Sequence, residues 1–290
     1  MTTDVSPLPP TGLTRVEAHG PLRGLRGLTA AELRRWFPWR ALVFALLGSA
    51  WVVGFFLLWL GPISYFSGGP RLTLLLGNMF AVLGLLLLLA MIATAQGAMA
   101  NELEDGTAAW VVAKPVGRPA FVLAKFLAAI PGVVVGAVLA PGVVARFVLV
   151  EAESRGDTEF LAEEVIGITA YGERQDEFTT LPGLGRYAGS LVLIAAILVF
   201  VVAVMILLGT VVRSRAAIFL TGFAVPGAML VYGLLGQEAI VRLLPARAFD
   251  SFVQAILDEP APVLWPAVVT SLWSVGCVGV AMWWFSGKEL

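Results

Sequence analysis

Residues Ala41 to Leu60 run for twenty positions without a charge. That is the length at which a helix crosses the roughly 30 Å hydrocarbon core of a bilayer. Inside lipid there is no water to satisfy backbone N–H and C=O groups, so such a run must close its hydrogen bonds within itself as a helix. Further apolar runs follow at about Leu72 to Ala98, Phe121 to Val150, Ala188 to Val212, Ala216 to Gly236 and Val263 to Phe285. The expectation is an all-α integral membrane fold with six transmembrane helices. Composition agrees: 59% of residues are hydrophobic and 13% charged, against about 25% charged in a soluble domain. At a mean hydropathy of +0.89, the apolar residues exceed what one core of this size buries, so most of the chain must face lipid.

The layout expected around those runs has three parts. Residues 1–28, with Pro7, Pro9, Pro10, Gly12, Gly20, Pro21, Gly24 and Gly27, read as a flexible cytosolic tail. No apolar core precedes Ala41, which argues against a cleaved signal peptide. Residues 29–40 read as a short amphipathic interfacial helix, with Thr29 as N-cap and Glu32 at N3 in a capping box. In it Arg34 and Arg35 meet headgroups while Leu33, Trp36 and Phe37 dip inward; the alternative is a simple positive-inside anchor. Residues 41–290 form the six-helix domain, with a cytosolic loop at 99–118 and outside loops at 151–187 and 237–262.

Orientation follows from where the basic residues fall. With the N-terminus in the cytosol, the inside segments hold 12 of the 19 Lys and Arg, and 7 of the 20 acidic residues. The expectation is therefore a multi-pass protein of the cell's inner (cytoplasmic) membrane, both termini cytosolic. The outside loop 151–187 is acidic and reads as a solvated loop with one or two short helices. The 237–262 segment, with Leu243, Leu244, Phe249, Phe252 and Ile256 among charges, reads as short amphipathic helices on or dipping into the outer leaflet. The third run is longer than a bilayer needs, and its Pro-Gly pairs at 131–132 and 141–142 each remove a donor and permit a kink. Gly132 with Gly136, and Gly222 with Gly227, are spaced for close helix contact or are ordinary membrane-helix composition.

Chemistry-bearing motifs are scarce. With one histidine, His19, and one cysteine, Cys277, His-based triads, multi-His metal sites and an internal disulfide fail by counting. There is no Gly-x-Ser-x-Gly and no Gly-x-x-x-x-Gly-Lys-Ser/Thr phosphate loop, and the balance of −1 leaves no basic footprint for nucleic acid. The middles of the apolar runs carry no ionisable group, Lys125 and Arg146 lying toward opposite ends of the third. A coupling ion needs a site at mid-membrane, so any driving energy is expected from outside this chain. Asn78, Gln96, Ser190, Thr210 and Thr270 read as hydrogen bonders between helices.

The cytosolic loop between the second and third runs is different. Asp105-Gly106-Thr107 offers a turn and an N-cap, Ala108 to Ala113 then forms a short helix exposing Trp110 and Val111, and Pro115 ends it. A capped helix with an apolar tip and charged flanks suits docking onto a soluble partner. The succession Glu102-x-Glu104-x-Gly106-Thr107, a short apolar run, Lys114-Pro115-Val116-x-Arg118 and then Lys125 resembles the motif of the membrane subunits of type-2 ABC exporters. The resemblance covers about 25 residues. It implies that this loop is the coupling helix seated in a groove of a separate ATPase subunit, and it carries that role onto Glu102, Glu104, Gly106, Thr107, Trp110, Pro115, Arg118 and Lys125. It further implies a permease subunit, export as the direction, a second permease copy or homologous permease as partner, and no ATPase site in this chain, with ATP and Mg held by the partner. The rival expectation is a non-transporting membrane scaffold or regulator that recruits a cytosolic partner.

Overall fold

A computed structural model of the chain describes residues 20–58, 72–105, 116–154, 183–212, 214–235, 242–256 and 262–287. The described residues are helical almost throughout and contain no strand. In chain order the helices are α1 (Leu25–Leu58), α2 (Leu72–Ala95), α3 (Gly97–Glu104), α4 (Arg118–Pro131), a π-helical segment (Gly132–Leu139), α5 (Ala140–Ser154), α6 (Leu184–Val211), α7 (Arg215–Leu235), α8 (Ala246–Ile256) and α9 (Leu264–Ser286). Five stretches are long and apolar enough to cross a membrane: Pro38–Leu58, Val82–Glu102, Arg118–Glu151, Leu184–Val211 and Leu264–Ser286. The run expected as a further span coincides with α7, of which Arg215–Val225 counts as a shorter apolar helix.

The core lies along α6. Its most apolar window is 56% buried, against 28% to 44% for the other four spans. A helix that is apolar all round belongs among other helices, and α6 is packed by α9, α8, α2 and α7. The outer helices keep large apolar side chains in the open, such as Phe147 at 71% and Leu272 at 64% exposure, which suits faces turned to hydrocarbon.

Two sequence expectations change at α1. The 29–40 segment is helical, but it is the first third of one 34-residue helix continuous with the first span, not a separate element. Pro38 sits inside that helix, where it lacks one donor without ending the run. Thr29 is not an N-cap. Gly20 and Gly24, at φ of 89° and 80°, make the turn that starts the helix earlier, and the Leu28 N–H already donates to the Gly24 carbonyl at 3.0 Å. Thr29 therefore lies inside the helix, with its Oγ1 buried and without a partner, and Glu32 is released for another use.

The third span runs unbroken from Arg118 to Glu151, 34 residues. Between its two Pro-Gly pairs the backbone widens into the eight-residue π segment, in which the Ala140 N–H bonds the Val135 carbonyl. Each proline removes a donor that regular α-bonding would use, and the i→i−5 pattern takes up the mismatch. This segment brings Gly136 against α1 so closely that a Cβ there would sit 2.5 Å from the Ala41 carbonyl oxygen. Gly222 of α7 is likewise pressed against the Met205 sulfur of α6, whereas Gly227 has nothing within 4 Å. The polar residues of the spans look inward along their own helices: Ser190, Thr210 and Thr270 donate to the carbonyls of Tyr187, Leu207 and Pro266 at 2.7, 2.7 and 2.8 Å. Back-bonding of this kind satisfies the hydroxyl proton locally.

The strongly amphipathic α8, in the segment expected on or dipping into the outer leaflet, packs one face against the bundle. Ala248, Ser251 and Phe252 are buried against the bundle, and the Trp265 and Trp273 indoles of α9 donate to the Arg242 and Leu243 carbonyls just before it. Residues 1–19 of the expected tail and 155–182 of the acidic outside loop lie outside the described residues.

Candidate functional site

The site grows from one residue that an apolar helix should not tolerate alone. α4 begins at Arg118, with extended Gly117 as its N-cap and Pro119 in its first turn, where the missing proline donor costs nothing. Its buried face reads Phe121, Val122, Ala124, Lys125, Phe126, Ala128 and Ala129. Lys125 is thus set by helical register into the interior, where it is 5% exposed. Burying an ammonium in apolar surroundings costs several kcal/mol unless carboxylates and hydrogen bonds compensate it.

Two helices bring the compensation. Lys125 Nζ donates to Glu102 Oε1 of α3 at 2.7 Å and to Glu32 Oε1 of α1 at 3.0 Å. Arg35, one turn along α1 from Glu32, donates to the same Glu102 oxygen at 3.2 Å. The ammonium also stands 5.0 Å from the centroid of the Phe121 ring, within reach of a cation–π attraction. Glu102 is carried here by α3, which continues the second span past Gln96: that residue keeps helical φ and ψ and its N–H donates to the Ile92 carbonyl at 3.0 Å. The adjoining cavity of about 50 Å³ is lined by Glu32, Arg40, Asn101, Glu102 and Lys125 among others. It is far smaller than the roughly 300–1,000 Å³ of small-molecule sites, so the cluster holds elements in place rather than a substrate.

The same end of the bundle is tied together twice more. Gly117 donates its N–H to the Arg23 carbonyl at 3.0 Å, and a Cβ on Gly117 would run into the Pro21 carbonyl, so the turn before α1 lies flat on the start of α4. Arg118 Nη1 donates to the Ser286 carbonyl at the far end of α9 at 3.2 Å, and the Phe121 and Phe285 rings stack at 5.7 Å.

Of the eight residues singled out in the sequence, Glu102 and Lys125 meet directly, and Arg118 sits two helical turns before Lys125 and is bonded to α9. Glu104 is the last residue of α3. Gly106, Thr107, Trp110 and Pro115 lie outside the described residues, as does the short helix expected at 108–113. What the described parts fix is the frame of that loop, with α3 ending at Glu104 and α4 starting at Arg118. Glu32 and Phe121 escaped the sequence reading of the site, and Arg35 was read as a headgroup contact. A usable signal was there: a lysine inside an apolar run needs a carboxylate, and Glu32 is one of few acids near the first span.

Compared with known proteins, the chain matches no family model and no curated protein. Five helices long and apolar enough to cross a bilayer suit a multi-pass membrane protein, with a buried ion cluster at one end of the bundle.

Proposed function

We propose that this chain is the permease subunit of an ATP-binding cassette transporter of the type-2 exporter kind. Six spans, α7 among them, form half of a substrate path completed by a second permease subunit. A separate cytosolic ATPase supplies the energy through residues 106–115, and export is the direction. The observation that carries this reading is the Glu102–Lys125 ion pair at 2.7 Å. It joins the two ends of the exporter-like motif, and Glu32 at 3.0 Å adds the segment before the first span. A push on the loop between α3 and α4 would thereby be delivered at once to α1, α3 and α4. A loop serving only as a linker would have no need of a buried anchor at its base.

Purification from native membranes, with the co-purifying proteins identified by mass spectrometry, tests the reading. A phosphate-loop ATPase is expected in stoichiometric amount, and Trp110→Ala or Glu104→Lys should deplete it while the protein stays inserted. Loss of a buried aromatic anchor costs ~2 kcal/mol or more, about a thirtyfold loss of affinity. Recovery of no such ATPase with the unsubstituted chain would sink the proposal.

A further inference from the structure

At the level of the spans, a second cavity of about 230 Å³ opens between α2, α6, α7 and α8, and the described residues that line it are apolar. Its floor is the covered side of α6, with Leu198 and Val201 at 1% and 2% exposure. Its mouth lies between α2 and α7, where Leu85 and Phe223 are 48% and 44% exposed. Phe249 of α8 makes one wall.

We infer that this cavity is a binding site for one acyl chain of a bilayer lipid, entering sideways between α2 and α7. The inference rests on α2, α6 and α7 lying in a membrane and on nothing in the transporter reading. Hydrocarbon tails are as apolar as leucine, so no hydrophobic force separates a tail in the cavity from one in the bilayer. What decides occupancy is dispersion: an empty cavity leaves its lining without partner atoms on one side. Lipid stands at the mouth at solvent concentration, and a flexible methylene chain fills irregular space as methionine does in cores. A side chain from a second copy fits less well, because a cavity of ~150 Å³ already houses a benzene ring and this one is half as large again. Among the described residues no charged or hydroxyl-bearing side chain lines the site, so it takes the tail and leaves the headgroup outside. Seated there, the chain wedges α8 against α6.

The test is photolabelling in nanodiscs with a phosphatidylcholine carrying a diazirine midway along one acyl chain, cross-links being mapped by mass spectrometry. Leu198 is too deep to be reached by lipid passing over the surface, so cross-links to Leu198 are the expected sign of an inserted chain. Gly84→Leu and Gly227→Leu fill the cavity from positions where a Cβ meets only an ordinary 3.7 Å contact with Ile194, or nothing. Each should cut labelling of Leu198 about tenfold, leaving lipid-facing Leu272 and Val275 of α9 unchanged. Leu88→Ala, which widens the cavity, should raise it, and this arm stands even if both filled variants fold poorly. Background labelling of Leu198 in the unsubstituted chain would overturn the proposal, since something other than lipid would then cover the mouth. So would labelling that neither filling variant lowers.

Discussion

Lys125 and Arg146 are two cations of one span, 21 residues apart, and the structure holds them by opposite means. At 1.5 Å per residue they stand about 30 Å apart, one hydrocarbon thickness. Lys125 is buried and gripped by two carboxylates from two other helices. Arg146 is half-buried, its guanidinium 5.6 Å from the centroid of the Tyr187 ring, and Tyr187 in turn donates its hydroxyl to the Gly142 carbonyl at 2.6 Å. A charge left partly in the open can be shared among an aromatic face, headgroups and water, and that contact ties α5 to α6. A charge sealed inside must be neutralised by partners brought from elsewhere in the chain. Lys125 therefore fastens α1, α3 and α4 into one unit, and that unit lies where the exporter-like loop begins.

The sharpest way to break this contrast is to remove the buried cation. Lys125→Ala leaves Glu32 and Glu102 facing each other without the ammonium that bridges them, and breaking a buried pair in this way costs about 3–5 kcal/mol. Thermal unfolding in detergent should register it as a large fall in Tm. Glu102→Gln should come next and Glu32→Gln last, since Lys125 holds Glu102 more closely and the Glu32 side chain is the more exposed of the two. Arg35→Ala should change little, because the Arg35 side chain is 69% exposed and such pairs contribute about 0–1 kcal/mol. Unfolding temperatures for all four that cluster together would deny the cluster its hierarchy.

Between the two cations lies the π segment, and Gly136→Ala tests it. The new methyl would meet the α1 backbone at Ala41, which cannot swing aside as a side chain can, so a loss of about 1–3 kcal/mol is expected. Gly227→Ala, with open space around it, should be neutral or gain up to ~1 kcal/mol from helix propensity. Equal unfolding temperatures for the two would mean that the close approach at Gly136 is not there. A modest effect is expected at the Arg146 end: Tyr187→Phe removes one hydrogen bond to Gly142, worth about 0.5–1.5 kcal/mol.

Much of this architecture could be read from residue order, and the exceptions share a cause. Apolar runs place helices because a bilayer leaves the backbone no other choice, and the spans 38–58, 184–211 and 264–286 fall within a few residues of the runs that announce them. Boundaries at α1 were harder. The Thr29–Glu32 pair has the form of a capping box, yet a turn of two positive-φ glycines starts the helix upstream, and Glu32 serves a lysine 93 positions away. Spacing along a chain carries no information about that distance. The Pro-Gly pairs marked an irregular span correctly, but whether two missing donors yield a kink or a π segment depends on what packs alongside, here the Ala41 backbone. The hydroxyls of Ser190, Thr210 and Thr270 each donate to a carbonyl of their own helix, an acceptor that helical geometry always places within reach. At the site, Glu102 and Lys125 were legible from the motif, whereas the third helix in the cluster was not.

The central claim is that this chain draws its energy from a separate ATPase through the loop between α3 and α4. The most direct measurement compares ATP hydrolysis by the purified ATPase subunit in vesicles containing the unsubstituted chain with that in vesicles containing Trp110→Ala. Hydrolysis should rise on addition of the unsubstituted chain and fail to rise with Trp110→Ala, and the chain alone should hydrolyse nothing. An ATPase indifferent to the chain, or solute movement driven by a proton or sodium gradient through the chain alone, would contradict the claim.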